Sequence, residues 1–176
     1  NSQGSNRENN LKEWLQYMSG FLKFEATVYI VEQTKEGIFN KGWLFNIGFK
    51  ESEGECDYIV LHDVDQIPMN KGNNYFFRET PTKLIYETKR NNHIRKLSRD
   101  NVGGALMITR RKYQEINGYS NNFGGWGRED DNMALRLKKH GGYDVQSADI
   151  GHYEELEHAR VMGLDETKQF HKNVAN

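Results

Sequence analysis

The feature that most constrains this chain is residues 57–69, where an apolar run leads into two aspartates. The run Tyr-Ile-Val-Leu is rich in β-branched residues and has no alternating pattern, which predicts a strand buried on both faces. Asp63 and Asp65 follow it. Because side chains two apart on a strand point the same way, both carboxylates should lie at the strand's carboxyl end. In an open α/β sheet this is the edge that binds ligands.

Two like charges this close repel each other, and a bound cation removes that penalty. Asp63 and Asp65 therefore favour a metal site. The alternative is a solvated Asp-x-Asp turn whose carboxylates cap backbone N–H groups. These residues alone do not separate the two interpretations.

Composition limits the class of partner. The 176 residues include 24 basic and 25 acidic side chains, so the net charge indicates neither nucleic acid nor an anionic membrane. We expect one domain over residues 1–176. The single cysteine, Cys56, excludes an internal disulfide. We expect no membrane segment, since no apolar run approaches the roughly 20 residues that span a bilayer, and we find no signal-like segment or glycosylation sequon.

Hydrophobic periodicity predicts alternating helices and strands in the first half of the chain. Residues 1–10 are polar, and we expect a frayed start there. The spacing predicts a helix over 11–22, a strand over 25–32 and a second helix over 39–52. With the strand in 57–69, this order and right-handed crossovers predict a parallel sheet.

The second half is less regular. Residues 87–101 are basic and polar without periodicity, which indicates a solvated loop in which Arg90 or Lys96 could contact a phosphate. A strand over 103–109 begins with Gly103 and a second glycine, which permit close approach of backbone or ligand. The other predicted elements are strands over 75–77, 84–86 and 143–145 and helices over 110–116 and 129–139.

Residues 121–131 form a second unusual stretch, with three glycines around Trp126 directly before Glu129, Asp130 and Asp131. The helix dipole favours acidic residues in a first turn, so N-terminal capping is one interpretation. Capping does not account for the glycines and the tryptophan, which predict a hinged loop that moves an indole over a site. A carboxylate beside such a lid is suited to deprotonating a sugar hydroxyl while water is excluded.

Histidines in the last part of the sequence are candidate metal ligands, since His binds metals more often than other side chains do. Glu155 lies three residues before His158 and can share its face on a turn. Surface or hydrogen-bonded roles are the alternative for His152 and His158. The metal interpretation depends on the cation already inferred at Asp65.

Taken in order, these stretches resemble the β-1,4-galactosyltransferase family of inverting, metal-dependent glycosyltransferases, whose α/β domain has the GT-A (Rossmann-like) nucleotide-sugar-binding fold. Asp-Val-Asp is a weak motif alone, but joined at this separation to Trp-Gly-Arg-Glu-Asp-Asp it is specific. The Gly-Arg-Glu-Asp-Asp form looks most like the branch that galactosylates xylose in proteoglycan linkers. The matching segments are residues 6–7, 39–49, 62–69, 102–105, 117–131 and 158.

The resemblance implies a catalytic role for the second acidic segment. Asp130 would be the base that deprotonates the acceptor hydroxyl, and that hydroxyl would displace UDP at the anomeric carbon with inversion. Glu129 and Asp131 would hold sugar hydroxyls. Trp126 would swing over the donor.

It also implies a donor site around the first acidic segment. Asp63 would contact the nucleotide, and Phe39 would stack on uracil. Arg7 and Lys41 would lie near the diphosphate. Gly103 would allow the donor to approach the backbone.

For the metal, the resemblance implies Mn²⁺ bound by Asp65 and His158. The third ligand is open. Glu155 stands where relatives often have methionine, whereas in the xylose branch a histidine would stand at Arg160. A carboxylate suits Mn²⁺ at least as well as a thioether does.

The sequence departs from the family at three further places. The first strand, which ends in Pro-Phe-Arg in relatives, is missing or replaced by residues 1–5. Gly124 replaces a tryptophan that forms an aromatic wall near the acceptor. Asn101 replaces a tyrosine that is typical of family members using galactose donors. A smaller residue at this position resembles members that accept N-acetylgalactosamine. UDP-galactose and UDP-N-acetylgalactosamine are therefore both candidate donors.

The leading hypothesis is therefore a transferase that moves one of these sugars to a saccharide acceptor and forms a β-linkage, for which we expect β-1,4. A carbohydrate- or nucleotide-binding module that has lost catalysis is the second hypothesis. A metal-dependent hydrolase is the third, but it gives the lid glycines and Phe39 no role. The resemblance also implies the Golgi lumen, although the sequence itself carries no mark of a compartment.

Overall fold

The computed structural model describes residues 5–34, 37–157 and 172–173, with backbone alone at residues 5 and 6. Its helices are Ser5–Phe21 (α1), Lys41–Glu51 (α2), Arg110–Glu115 (α3) and Glu129–Lys139 (α4). Its strands are Tyr58–His62 (β1), Gln66–Pro68 (β2), Thr82–Lys83 (β3), Glu87–Arg90 (β4), His93–Lys96 (β5), Ala105–Thr109 (β6), Asp144–Val145 (β7) and His152–Glu155 (β8). Within these ranges, no helix has the length and apolar character that a bilayer crossing needs.

The strands form two sheets, in the orders β1-β6-β3-β7 and β2-β8-β4-β5. The predicted all-parallel sheet is wrong. β1 runs antiparallel to β6, with Tyr58 opposite Thr109 and His62 opposite Ala105, and β6 runs antiparallel to β3. In the first sheet only the β3–β7 pair is parallel. The helices and mixed sheets therefore give an α/β architecture in which β1 lies at the edge of its sheet within the described residues.

The strand predicted over residues 25–32 is absent. This segment carries no regular secondary structure, and Val28, Tyr29 and Ile30 are 43%, 39% and 56% exposed. Strand propensity gives a strand only where a neighbour completes the hydrogen-bond ladder, and no described strand pairs with this segment. Side chains hold it instead, since Tyr29 donates a hydrogen bond to Glu55.

The first helix begins earlier than predicted. α1 starts at Ser5, so the frayed start expected over residues 1–10 is wrong from residue 5 onward. Glu8 and Lys12 form an i,i+4 ion pair of 2.7 Å, which supports the first turns of a helix. The extension matters because it places Arg7 on an ordered helix.

The loop predicted over residues 87–101 contains a hairpin, β4–β5. Its turn residues, Asn91 and Asn92, have φ of 46° and 64°, the left-handed conformation that a two-residue hairpin turn requires. β5 is exposed along its whole length, so its sequence has no apolar alternation to reveal it. β8 was also not predicted, and the predicted strands over 75–77 and 84–86 are wrong, since the only strand residues between 69 and 86 are those of β3, Thr82 and Lys83.

Two hydrophobic cores lie on the two faces of the first sheet. Side chains of β6 alternate between them, with Ala105 and Met107 in one and Leu106 and Ile108 in the other. All five residues of β6 are buried, whereas in β1 only Leu61 is. β1 is thus less buried than predicted because it lies at the edge of the sheet.

The helices pack on opposite faces of this sheet and set the position of the site. α1 contributes Trp14 and Met18 to one core. α4 contributes Met133, Ala134 and Leu137 to the other. The predicted bounds of α2, α3 and α4 agree with the structure to within two residues.

Candidate active site

The carboxyl end of β1 is held by a backbone hydrogen bond to the segment before β6 and by the His62 side chain. The Asp63 N–H donates to the Gly104 carbonyl over 2.7 Å. The His62 imidazole lies 2.8 Å from the Asp63 carbonyl and 2.9 Å from the Tyr75 hydroxyl. Burial lowers the pKa of His62 to about 4, so the ring is neutral at physiological pH. His62 therefore supports the turn into the acidic segment as an uncharged hydrogen-bonding group.

Lys41, the first residue of α2, joins the two acidic segments. Its Nζ lies 3.0 Å from Oδ1 of Asp63 and 2.9 Å from Oδ2 of Asp130. Burial alone would lower the pKa of Lys41, but the charges of Asp130 and Asp63 outweigh it and raise the pKa above its ordinary value. The ammonium group is therefore charged, and the carboxylates that follow β1 and begin α4 meet at a single cation.

Asp130 does not behave as a helix cap. Its Oδ2 accepts from Lys41, and its Oδ1 accepts from the Tyr119 hydroxyl over 3.0 Å. A Cβ added to Gly103 would lie 2.4 Å from Asp130 Oδ2, so only glycine allows the carboxylate to come this close to the backbone. Burial and the charge of Asp130 raise the pKa of Tyr119 well above its usual value, so this hydroxyl stays a donor.

The neighbouring carboxylates differ from Asp130 in their surroundings. Asp131 accepts from Asn101 Nδ2 over 3.0 Å and pairs with Arg128 at 3.2 Å. Burial raises the pKa of Glu129 to about 7, and the charge of Asp130 adds to this effect. Burial likewise raises the pKa of Asp63 to about 6 even though Lys41 opposes it. The carboxylates at this site therefore carry more negative charge than the single ammonium group of Lys41 balances.

The raised pKa of Glu129 predicts a pH-dependent stability. Its folded value of about 7 exceeds the ordinary 4.5, so the folded protein holds this proton more tightly than the unfolded chain does. The stabilisation is present below pH 4.5 and is lost as the pH rises through 7. We expect Glu129→Gln to gain about 2 kcal/mol over the wild type between pH 5 and pH 8, as measured by chemical denaturation. A stability difference that does not change with pH would contradict this.

The loop before β6 carries two of the predicted donor residues. Asn101 Oδ1 accepts from the Gly103 N–H over 2.8 Å. Lys83, which is fully buried, donates to the carbonyls of Ser98 and Asn101 over 2.9 and 2.7 Å. Burial lowers the pKa of Lys83 to about 8. The sequence analysis did not predict that Lys83 is buried at this site. A lone lysine beside Leu-Ile in a short apolar stretch could have indicated it.

The glycine-rich loop lies beside the residue predicted to stack on uracil. The Gly125 N–H donates to the Phe39 carbonyl over 2.6 Å. Asn173 donates to the carbonyls of Gly124 and Gly127 over 2.9 and 3.0 Å. The Trp126 and Phe39 side chains are each about half exposed. A backbone hydrogen bond therefore links the loop predicted to act as a lid to Phe39, the residue predicted to stack on uracil.

The predicted metal ligands are only partly described. Asp65 is buried and accepts from Arg7 Nη1 over 2.7 Å, while Glu155 is buried in β8 and accepts from Arg90 Nη1 over 3.2 Å. The Leu156 N–H donates to the Asp65 carbonyl over 2.8 Å, so the two ligand positions lie on neighbouring backbone segments. Glu155 belongs to a strand rather than the predicted turn. His158 lies outside the described residues, as does position 160.

These residues fit a divalent cation in part. Two buried carboxylates supply oxygen ligands of the kind that Mn²⁺ prefers, and each is now balanced by an arginine. Arg7 is half exposed, so a cation could displace it without burying an unpaired charge. Over residues 5–34, 37–157 and 172–173, no three His, Cys, Asp or Glu side chains converge as a metal site.

The fold has counterparts among solved structures. The catalytic domain of Drosophila β-1,4-galactosyltransferase 7, in complex with xylobiose, matches with a TM-score of 0.77 at 23% identity, over 94% of this chain and 75% of that one. A mutant of the same enzyme, in complex with manganese, UDP-Gal and xylobiose, matches with a TM-score of 0.76 over 92% of this chain and 74% of that one. The fold is that of a GT-A galactosyltransferase catalytic domain, as predicted.

Family models match most of the chain. The model described as the N-terminal region of glycosyl transferase group 7 matches residues 4–78, and the one described as the N-terminal domain of galactosyltransferase matches residues 85–159. The chain belongs to the β-1,4-galactosyltransferase family, glycosyltransferase family 7. The resemblance inferred from the sequence is thereby confirmed.

Individual relatives agree with this. β-1,4-Galactosyltransferase 4 of Cricetulus griseus is 32% identical over 95% of this chain and 51% of its own length. β-1,4-Galactosyltransferase 1 of Bos taurus is 33% identical over 97% of this chain and 44% of its own length. β-1,4-Galactosyltransferase 7 of Mus musculus is 37% identical over 66% of this chain and 35% of its own length. The chain therefore spans about half or less of the curated relatives it matches.

Proposed function

We propose that the protein transfers galactose from UDP-galactose to a saccharide hydroxyl with inversion, forming a β-linkage, most simply β-1,4. The observation that carries this is the meeting of Asp63 and Asp130 at the Lys41 ammonium group. A donor-side carboxylate and a buried carboxylate in position to act as a base then share one site. The names of the relatives, and the solved neighbour that holds manganese, UDP-Gal and xylobiose, support the choice of reaction.

Asp130 is the base in this proposal. It takes the proton of the acceptor hydroxyl while the hydroxyl oxygen forms a bond to the anomeric carbon of the donor, and the bond from that carbon to the diphosphate breaks as UDP leaves. The hydrogen bond from Tyr119 holds Oδ1 of Asp130 in place. It thereby also fixes the direction in which Oδ2 points. Attack from the face opposite the leaving group inverts the anomeric centre.

The donor side stabilises the leaving group. Arg7 and Lys41 supply positive charge toward the diphosphate, and Asp63 and Phe39 hold the nucleoside. Mn²⁺, held by Asp65 with Glu155 and His158, would neutralise the charge that develops on the diphosphate.

The acceptor side is formed by the start of α4. Glu129 and Asp131 accept hydrogen bonds from sugar hydroxyls, and Trp126 covers the donor and excludes water.

Asn101 donates to Asp131 and accepts from the Gly103 N–H, so this side chain is already occupied. N-acetylgalactosamine is the second candidate donor sugar, because Asn101 is smaller than the tyrosine typical of galactose donors.

The test is a donor and acceptor panel. UDP-galactose and UDP-N-acetylgalactosamine are each incubated with Mn²⁺ and with xylobiose or other disaccharides, and the products are identified by mass spectrometry. We expect a galactosylated acceptor and UDP release that requires both Mn²⁺ and the acceptor. Equal UDP release without acceptor would indicate a hydrolase instead. UDP binding with no product from any acceptor would indicate a binding module.

A further inference from the structure

We propose that Lys41 couples the donor site to the catalytic base. Without donor, Lys41 binds Asp130 and neutralises it; a bound diphosphate competes for the same ammonium group and releases Asp130 to accept the acceptor's proton. Lys41 is thus a positioning residue that makes the base available only when the donor is present. This inference rests on the proposed function, because it needs a diphosphate and a base in one site.

The Lys41 ammonium group contacts two carboxylates at once, so it keeps a partner if it moves away from one of them. The Lys41 side chain is 15% exposed and that of Asp130 is 12% exposed, so the ion pair between them is largely shielded from water. Asp63 is 30% exposed and gives the same ammonium group a second partner. Lys41 can therefore leave Asp130 while Asp63 still balances its charge, which avoids the large penalty of a buried unpaired cation.

Asp130 accepts hydrogen bonds on both of its oxygens, so Lys41 must move before Asp130 can act as a base. One of its oxygens accepts from Lys41 and the other from Tyr119, so both are engaged before any substrate arrives. The Lys41 ammonium group lies on the oxygen that Tyr119 does not contact, so an acceptor hydroxyl reaches that oxygen only after Lys41 has moved. A diphosphate carries more negative charge than a carboxylate and, at the carboxyl end of β1, would attract Lys41 away from Asp130.

Coupling of this kind is reciprocal and can be measured without turnover. If the diphosphate weakens the Lys41–Asp130 pair, Asp130 must weaken diphosphate binding by the same factor. Removing the charge of Asp130 should therefore tighten UDP binding. The effect must disappear when Lys41 is absent, because Lys41 is the group for which the two anions compete.

The experiment is a double-mutant cycle on UDP affinity, measured by calorimetry with Mn²⁺ present. We expect Asp130→Asn to bind UDP roughly five- to tenfold more tightly than the wild type. In a Lys41→Met background the same substitution should leave UDP affinity unchanged to within about twofold. If Lys41→Met does not fold, Lys41→Arg replaces it. That variant keeps the charge, and Asp130→Asn should still tighten binding there.

Asp131→Asn is the matched control. It removes one negative charge from the same turn of α4, but Asp131 pairs with Arg128 and not with Lys41. Equal tightening by Asp130→Asn and Asp131→Asn would overturn the coupling and indicate general repulsion of UDP. Tightening that persists in Lys41→Met would overturn it as well. Absence of UDP binding in every protein, including the wild type, would instead contradict the proposed function itself.

Discussion

Asp130→Asn is expected to lower the rate of sugar transfer by about 10²- to 10⁴-fold, the usual contribution of a positioned general base. The amide has nearly the same shape as the carboxylate and can still accept the hydrogen bond from Tyr119. It cannot take up the proton of the acceptor hydroxyl. Chemistry is therefore lost while the fold and the donor site remain, and the measurement is the initial rate of acceptor-dependent UDP release.

The control for Asp130→Asn is a carboxylate–lysine pair elsewhere in the molecule. Glu115 pairs with Lys112 at 2.7 Å on α3, and Glu115→Gln removes the same kind of charge there. We expect that variant to transfer sugar at the wild-type rate. Transfer by Asp130→Asn within about threefold of wild type would fall far short of the expected loss and would remove Asp130 from the role of base.

Asp65→Asn is expected to lower transfer by about 10²-fold or more and to raise the Mn²⁺ concentration needed for half-maximal rate. In the proposed function Asp65 is a charged ligand of Mn²⁺, so its loss should remove much of the stabilisation of the departing diphosphate. The fold should survive, because the partner left behind, Arg7, is half exposed and can be solvated. The measurement is the transfer rate as a function of Mn²⁺ concentration.

Two further variants make the metal test specific. Glu155→Gln should raise the Mn²⁺ requirement if Glu155 completes the ligand set. Glu79 is an exposed partner of Arg111, and Glu79→Gln should leave the requirement unchanged. The same Mn²⁺ dependence in Asp65→Asn as in the wild type would contradict the metal assignment.

The sequence predicted those elements whose side chains carry their own pattern. The apolar run of β6 and the periodic face of α4 were placed correctly, because both are buried against the core. The segment 25–32 has equally strong β-branched character but is no strand, because a ladder depends on a partner that local sequence does not encode. The exposed hairpin β4–β5 had no apolar pattern, and only its Asn-Asn turn marked it.

The site was predicted unevenly for a related reason. Asp63 and Asp130 were identified from motifs, and the structure brings them to one ammonium group. Lys41 was expected near a diphosphate, and its contact with Asp130 could not be anticipated because the two residues are far apart in sequence. Tyr119 and Lys83 were missed altogether, since their importance comes from burial beside a carboxylate or a carbonyl rather than from residue type.

The anomeric configuration of the product is the sharpest test of the proposed transfer with inversion. UDP-galactose, Mn²⁺ and a saccharide acceptor are incubated with the protein, and the product is examined by proton NMR, in which the coupling constant of the new anomeric proton distinguishes β from α. The proposed inversion predicts a β-linked galactoside formed in an amount equal to the UDP released. An α-linked product, or UDP accompanied by free galactose, would contradict it.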